Sequence, residues 1–228
     1  MSSGCCSIAV GANQVAILKE KDSEKYLGRK LCFADSQEVE LRNRISAGWA
    51  AFHQHKRVLC SRFYRADDRA RLFEAVVTPA VLYGSSAWAL TKQMQSKLYT
   101  AWRKMLRFVY LLHRKRIEGE LEGWVDYLKR SAGQIETMSR KYNMEDWVSG
   151  YRKKKYRCAG QAVRQKDERL SKRAIMWTPR NPGSRGRGRP CIRWSDDLSA
   201  FAGGDWATVA LDSELWSTAE MGYVLRLS

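Results

Sequence analysis

The spacing of apolar residues changes its period near residue 36. Before that point Ser7-Ile8-Ala9-Val10 and Gln14-Val15-Ala16-Ile17-Leu18 flank a Gly-Ala-Asn turn, and Lys25 to Phe33 follow, a pattern of short strands. After it the period becomes helical. Leu41, Ile45, Trp49 and Phe52 recur at steps of four, four and three, which predicts a helix capped by Ser36. Asp67 is placed to cap a second, with Leu72, Phe73, Val76 and Val77 inward, and Thr78-Pro79 is read as its end.

The clearest helix opens at Thr91, because Leu98, Trp102, Met105, Val109 and Leu112 follow at steps of four, three, four and three. Its other face carries Lys92, Lys97, Arg103, Lys104 and Arg107. Residues 118–149 are predicted helical around Leu121, Trp124, Val125, Leu128, Ile135, Met138 and Trp147, with breaks near Gly133 and Asn143. Arg152–Arg157 (RKKKYR) continues on a helix. Thr178–Pro190 holds three of the four prolines and reads as an exposed loop, after which Asp205 starts a last helix through Trp206, Val209, Ala210 and Trp216.

Charge sharpens this picture. Forty-one Lys and Arg stand against 24 Asp and Glu, a formal net charge of +17, which points to a polyanionic partner, RNA or DNA. No acidic residue lies between Glu74 and Glu118, so the helix after Thr91 meets no neutralising charge along the chain. From Tyr151 to Arg193, fifteen Lys and Arg face only Asp167 and Glu168. The candidate phosphate contacts are therefore Lys92, Lys97, Arg103, Lys104 and Arg107 on one helix, Arg152, Lys153, Lys154, Lys155 and Arg157 on another, and Arg185, Arg187, Arg189 and Arg193 in and after the loop. A solvated basic surface is the plainer reading of the same residues.

No apolar run reaches the 18 residues of a membrane span, and MSSGCCSIAV has neither the basic start nor the long apolar stretch of a signal peptide. An intracellular protein, nuclear or cytoplasmic, without membrane contact is expected. The six cysteines form no Cys-x-x-Cys pair and the three histidines lie near none of the late ones, so reduced thiols are expected rather than a structural zinc.

Paired carboxylates invite a catalytic reading, since two-metal nucleases and polymerases hold their ions with such groups. Phe33-Ala34-Asp35-Ser36, Tyr64-Arg65-Ala66-Asp67-Asp68 and Asp196-Asp197 are the candidates, and each stands immediately before a helical run. Helix capping is the favoured reading, because acids satisfy free N–H groups and the positive helix end. A metal-dependent nuclease or polymerase using one of the pairs is the alternative; a protein-interaction fragment with an orphaned apolar surface is a third.

KYLGRKL, RISAGWAAF, VVTPAVLYGSSAWALT, LYTAWRKMLR, the block MWTPRNPGSRGRGRPCIRWSDDL and DWATVALDSELW occur in one order. Together they resemble the C-terminal, thumb and post-thumb, portion of reverse transcriptases encoded by non-LTR (LINE-like) retrotransposons, over residues 15 to about 220. Two motifs depart from that family: its usual W-x-W-A-G-H stands here as Tyr156-Arg157-Cys158-Ala159-Gly160-Gln161, and the glutamate of its Y-G-x-E-x-W element is replaced at Ser86 or Ala87.

The resemblance implies a mainly α fold: a thumb-like helical bundle plus a C-terminal helical lobe, with a short β element at the N-terminus. It divides the chain into 1–34, a β remnant of the palm–thumb junction; 35–117, a thumb-like helical domain; 118–177, a helical connection with a basic segment; 178–193, a basic loop; and 194–228, C-terminal helices. It further implies a fragment of an RNA-directed DNA polymerase truncated before its catalytic palm. Such a fragment would have no catalytic residue or cofactor of its own, with Mg²⁺ expected only for the full-length parent. Absent palm and fingers, or self-association, would be its protein partners.

Overall fold

The computed structural model describes residues 7–10, 13–16, 22–32, 36–117, 119–166, 170–177 and 192–226. The chain is mainly helical behind two N-terminal hairpins, as its periodicity predicts. Strands β1 (Ser7–Val10) and β2 (Asn13–Ala16) pair antiparallel, and β3 (Ser23–Tyr26) and β4 (Arg29–Cys32) form a second antiparallel pair. The second hairpin turns on Leu27 and Gly28, both at positive φ (47° and 78°), a two-residue turn whose twist matches that of its strands.

Helix α1 (Ser36–Gln54) carries the buried Glu40, which anchors this hairpin. Its carboxylate accepts from Lys30 N–H at 2.7 Å and from Arg44 Nε at 2.7 Å, while Arg44 Nη2 donates to the Gly28 carbonyl. A short α2 (Lys56–Leu59) and a loop lead to α3 (Ala66–Val81). Two expectations are corrected here. Arg65, not Asp67, occupies the cap position, and Asp67 and Asp68 lie in the first turn, where acids oppose the helix dipole. Pro79 does not end the helix; it sits in the last turn, where little helix remains to be disrupted, and Leu82 N–H still bonds the Thr78 carbonyl at 2.9 Å.

Helix α4 (Lys92–Val109) opens as predicted, with the Thr91 hydroxyl accepting from Met94 N–H at 3.2 Å. A two-residue hairpin, β5 (Arg116–Ile117) with β6 (Glu120–Leu121), replaces the expected start of the next helix. Helix α5 (Trp124–Lys141) then runs through Gly133 without the expected break, while Asn143, at φ 51°, ends the segment as expected. Asp146 caps α6 (Trp147–Val163) by accepting from Val148 and Ser149 N–H. After α7 (Leu170–Met176) come α8 (Asp196–Ala202), α9 (Trp206–Leu211) and α10 (Ser213–Arg226). The single last helix expected after Asp205 is thus two, because the Asp212 carboxylate accepts from Glu214 and Leu215 N–H and starts a new one.

Two apolar clusters hold these elements. The first gathers Leu41 and Phe52 of α1, Phe73, Val77 and Val81 of α3, Leu98, Trp102, Met105 and Val109 of α4, Ile135 of α5 and Trp147 and Tyr151 of α6. The second gathers Tyr156, Ala159 and Val163 of α6 with Leu198, Trp206, Ala210, Trp216 and Tyr223. Helix α6 serves both, with Tyr151 in one and Tyr156 in the other.

Candidate nucleic-acid interface

The stripe that α6 buries contains cations. Trp147, Tyr151, Arg152, Lys155, Tyr156, Ala159 and Val163 recur at helical spacing and all face inward. Arg152 reaches across to the Val224 carbonyl at 3.0 Å and to Gln95 Oε1 at 2.8 Å. Lys155, 1% exposed, donates to Asp197 Oδ2 at 2.8 Å, and Tyr223 O–H donates to the same oxygen at 2.9 Å. The ammonium also stands over the Trp194 ring, 5.2 Å from its centroid. Burial pulls the Lys155 pKa below its ordinary value while the Asp197 charge holds it up. Burial, then the Asp197 charge, raises that of the Tyr223 hydroxyl.

Asp197 is therefore the acceptor of a buried polar junction joining α6, α8 and α10. The expected capping is corrected: Ser195 occupies the cap position without a side-chain cap bond, and Asp196 and Asp197 lie in the first turn of α8, where Asp196 accepts from Arg193 N–H at 2.7 Å and Asp197 from its neighbour Leu198 N–H at 2.9 Å. Among the described residues no third carboxylate, histidine or thiol joins the pair at a metal's reach. Asp67 takes an ion pair from Arg65 at 3.1 Å, and Asp35 lies outside the described residues.

The motif elements converge on this junction. Gly84, at φ 66°, turns the chain so that Trp88 enters the first cluster beside Tyr151, at 5.9 Å between centroids. Trp194 donates its indole N–H to the Ser86 carbonyl at 2.7 Å, binding the late tryptophan-aspartate block to the earlier tyrosine-glycine turn. Trp216 stacks on Tyr156 at 4.0 Å and donates to the Tyr156 carbonyl at 3.0 Å. A Cβ at Gly160 would stand 2.6 Å from the Trp216 ring, which explains why the chain has glycine there.

The other candidate cations on α6 face outward, and two of them pair with acids, one just before the helix and one in α10. Lys153 pairs with Glu145 at 2.7 Å, and Arg157 holds Glu220 through two bonds of 2.9 and 2.7 Å. Lys154 is exposed, with a long contact of 3.4 Å to the Leu82 carbonyl. The structure does not bring the five cations of 152–157 onto one free face.

Helix α4 differs. Only Lys97 forms an ion pair there among the described residues, with Glu38 at 2.7 Å, and the Lys97 ammonium holds the Glu38 carboxyl below its ordinary range. Lys92 and Lys104 are exposed, and Lys104 stands over Trp49 at 5.7 Å. Arg103 lies over Tyr99 at 5.5 Å. Arg107 donates to Ser131 Oγ at 3.1 Å; partial burial lowers its pKa, with repulsion from Arg103 adding to it. Arg193 is exposed, whereas Arg185, Arg187 and Arg189 lie outside the described residues.

Sequence reading missed the Lys155–Asp197–Tyr223 junction. Its signal was present, because Lys155 falls four residues after Tyr151 and four before Ala159, on the apolar stripe. No helix among the described residues is long and apolar enough to cross a membrane.

No protein-family model matches the chain, and no solved structure matches it. An uncharacterized transposon-derived protein of Caenorhabditis elegans is 29% identical over 209 residues, an alignment spanning 87% of this chain and 70% of that protein.

Proposed function

We propose that this chain has a transposon origin, that it is the thumb and post-thumb portion of a non-LTR retrotransposon reverse transcriptase, and that it binds RNA or DNA through the phosphate backbone. Support for the origin comes from the transposon-derived relative, and for the finer family from the ordered motif set of the sequence. One observation carries the binding reading: Lys92, Arg103, Lys104 and Arg107 lie along α4 with no acidic ion-pair partner among the described residues. Cations left without protein counter-charges are able to neutralise phosphates, and the counterions condensed on the nucleic acid gain entropy when they are released. Arg193 and the nearby Arg185, Arg187 and Arg189 extend the same chemistry. No bond-making step is assigned to this chain; Mg²⁺ belongs to the palm of the parent polymerase.

The nuclease alternative gains nothing from the geometry, since Asp197 already accepts from Lys155 and Tyr223. Titration of binding against salt, with a labelled RNA and a labelled DNA duplex, tests the proposal. The logarithm of the association constant is expected to fall with the logarithm of salt concentration, at a slope of about −3 to −4 if four phosphates are neutralised. Changing Lys92, Arg103, Lys104 and Arg107 to Gln is expected to remove most of that slope. Binding indifferent to salt would overturn the reading.

A further inference from the structure

The loop between α2 and α3 reads Ser61-Arg62-Phe63-Tyr64-Arg65. Phe63 is 99% exposed and Tyr64 49%, whereas Phe52, Phe73, Tyr110, Tyr151, Tyr156 and Tyr223 are buried. A phenylalanine standing fully in water costs hydration free energy and contributes nothing to the fold. Nor is it a loose tip: Ser61 Oγ accepts from Phe63 N–H at 3.2 Å, and the Arg65 carbonyl accepts from Arg69 N–H at 3.1 Å, so both ends of the loop are fixed.

The surroundings are basic. Lys56, Arg57, Arg62 and Arg71 are exposed and form no ion pair among the described residues, and only Arg65 is partnered, by Asp67. The loop belongs to the end of the first cluster where α4 also finishes. There Arg69 Nη1 donates to the Val109 carbonyl at 2.5 Å, and Trp49 and Phe108 meet at 6.2 Å beneath Lys104. Aromatic faces set among cations form the combination that single strands require. Their unpaired bases offer π-faces for stacking, and their phosphates take the charge. A duplex keeps its bases stacked internally and offers such faces only at its ends.

We propose that Phe63 and Tyr64 form a stacking platform for unpaired bases, so that this end of the protein binds single-stranded nucleic acid while Lys56, Arg57, Arg62 and Arg71 hold the adjoining phosphates. This rests on the backbone-binding reading above and adds to it a strand preference and a second set of cations, at the end of the protein where α4 finishes.

The test uses the full chain, a 20-nucleotide single strand, the same strand with abasic sites replacing its bases, and a duplex of equal length. Phe63→Ala is expected to weaken binding of the normal single strand about five- to fifty-fold. Duplex affinity is expected to stay within about twofold and the salt slope to stay unchanged, because stacking releases no counterions. The abasic strand should bind wild type and Phe63→Ala alike, and Phe63→Trp should keep the normal affinity. Phe63 is fully exposed, so folding is not at risk, and circular dichroism verifies this. If all three ligands bind in a salt-dependent way and Phe63→Ala changes none of them, the platform is refuted while backbone binding stands. If wild type binds no ligand, both fall. If Phe63→Ala instead abolishes self-association in light scattering and leaves nucleic-acid binding intact, the loop is a protein contact and the proposal is overturned.

Discussion

Helices α4 and α6 carry similar densities of Lys and Arg, yet their charges meet opposite fates. On α6, Lys153, Lys155 and Arg157 are matched by Glu145, Asp197 and Glu220, and two of those acids lie more than 40 residues away in sequence. On α4 one cation of five is matched among the described residues, by Glu38. A charge run read along the chain therefore overstates the free charge of a folded surface wherever distant acids return to it. What decides is the tertiary partner, and the acid-free interval from 75 to 117 is informative because, among the described residues, no distant acid pairs with most of its cations.

The strongest way to break the comparison is to remove the acid that neutralises α6 from within. Asp197→Ala leaves the Lys155 ammonium buried and without its carboxylate, and a loss of about 3–5 kcal/mol is expected, read from urea denaturation. Unchanged stability would mean that this ion pair contributes nothing net.

The next effect sharpens it. Exchange of Lys92, Arg103, Lys104 and Arg107 for Gln is expected to lower oligonucleotide affinity about a hundredfold at low salt. The matching exchange of Lys153, Lys154 and Arg157 is expected to lower it no more than about threefold, because two of the three already have carboxylate partners. Equal losses would show that the intramolecular pairs open when nucleic acid binds.

A smaller effect comes from pH. Glu74 of α3 lies in the groove with Glu145 and Lys153. Burial first, and the Glu145 charge in addition, raise its pKa from 4.5 to about 7, against the Thr78 hydrogen bond. The folded state then holds a proton that the unfolded chain has released, so this residue's contribution is lost as pH rises from about 4.5 through about 7. Glu74→Gln is expected to stabilise the protein by about 1–2 kcal/mol at pH 8 and to change little at pH 5, measured by thermal melts at both values.

Much of this architecture was legible beforehand. Helix α4 was readable throughout, because its cap, its 4-3-4-3 stripe and its polar face agree with one another. The errors arose where tertiary contacts override local signals. Pro79 reads as a stop, but the Thr78 hydroxyl is held by Glu74 at 3.2 Å and by the Trp147 indole N–H at 3.0 Å, which keeps that turn helical. The β5–β6 hairpin has no periodicity to read. It is held by Glu122, which accepts from Arg130 at 2.8 and 2.7 Å and from Lys115 N–H at 3.1 Å. At the candidate site Lys92, Lys97 and Lys104 of α4 are exposed, and Arg103 and Arg107 are half-buried. Arg152 and Lys155 were misplaced because positive charge was given more weight than their position on the stripe.

That α6 contributes Tyr151 to one cluster and Tyr156 to the other fixes a length as well as a composition. Each inserted or deleted residue turns the rest of a helix by about 100°. One such change between these two tyrosines would keep the upstream packing and swing Lys155 or Tyr156, and all that follows, away from its partners. Within this short span an exchange at exposed Lys154 should therefore be tolerated far better than the insertion or loss of a single residue.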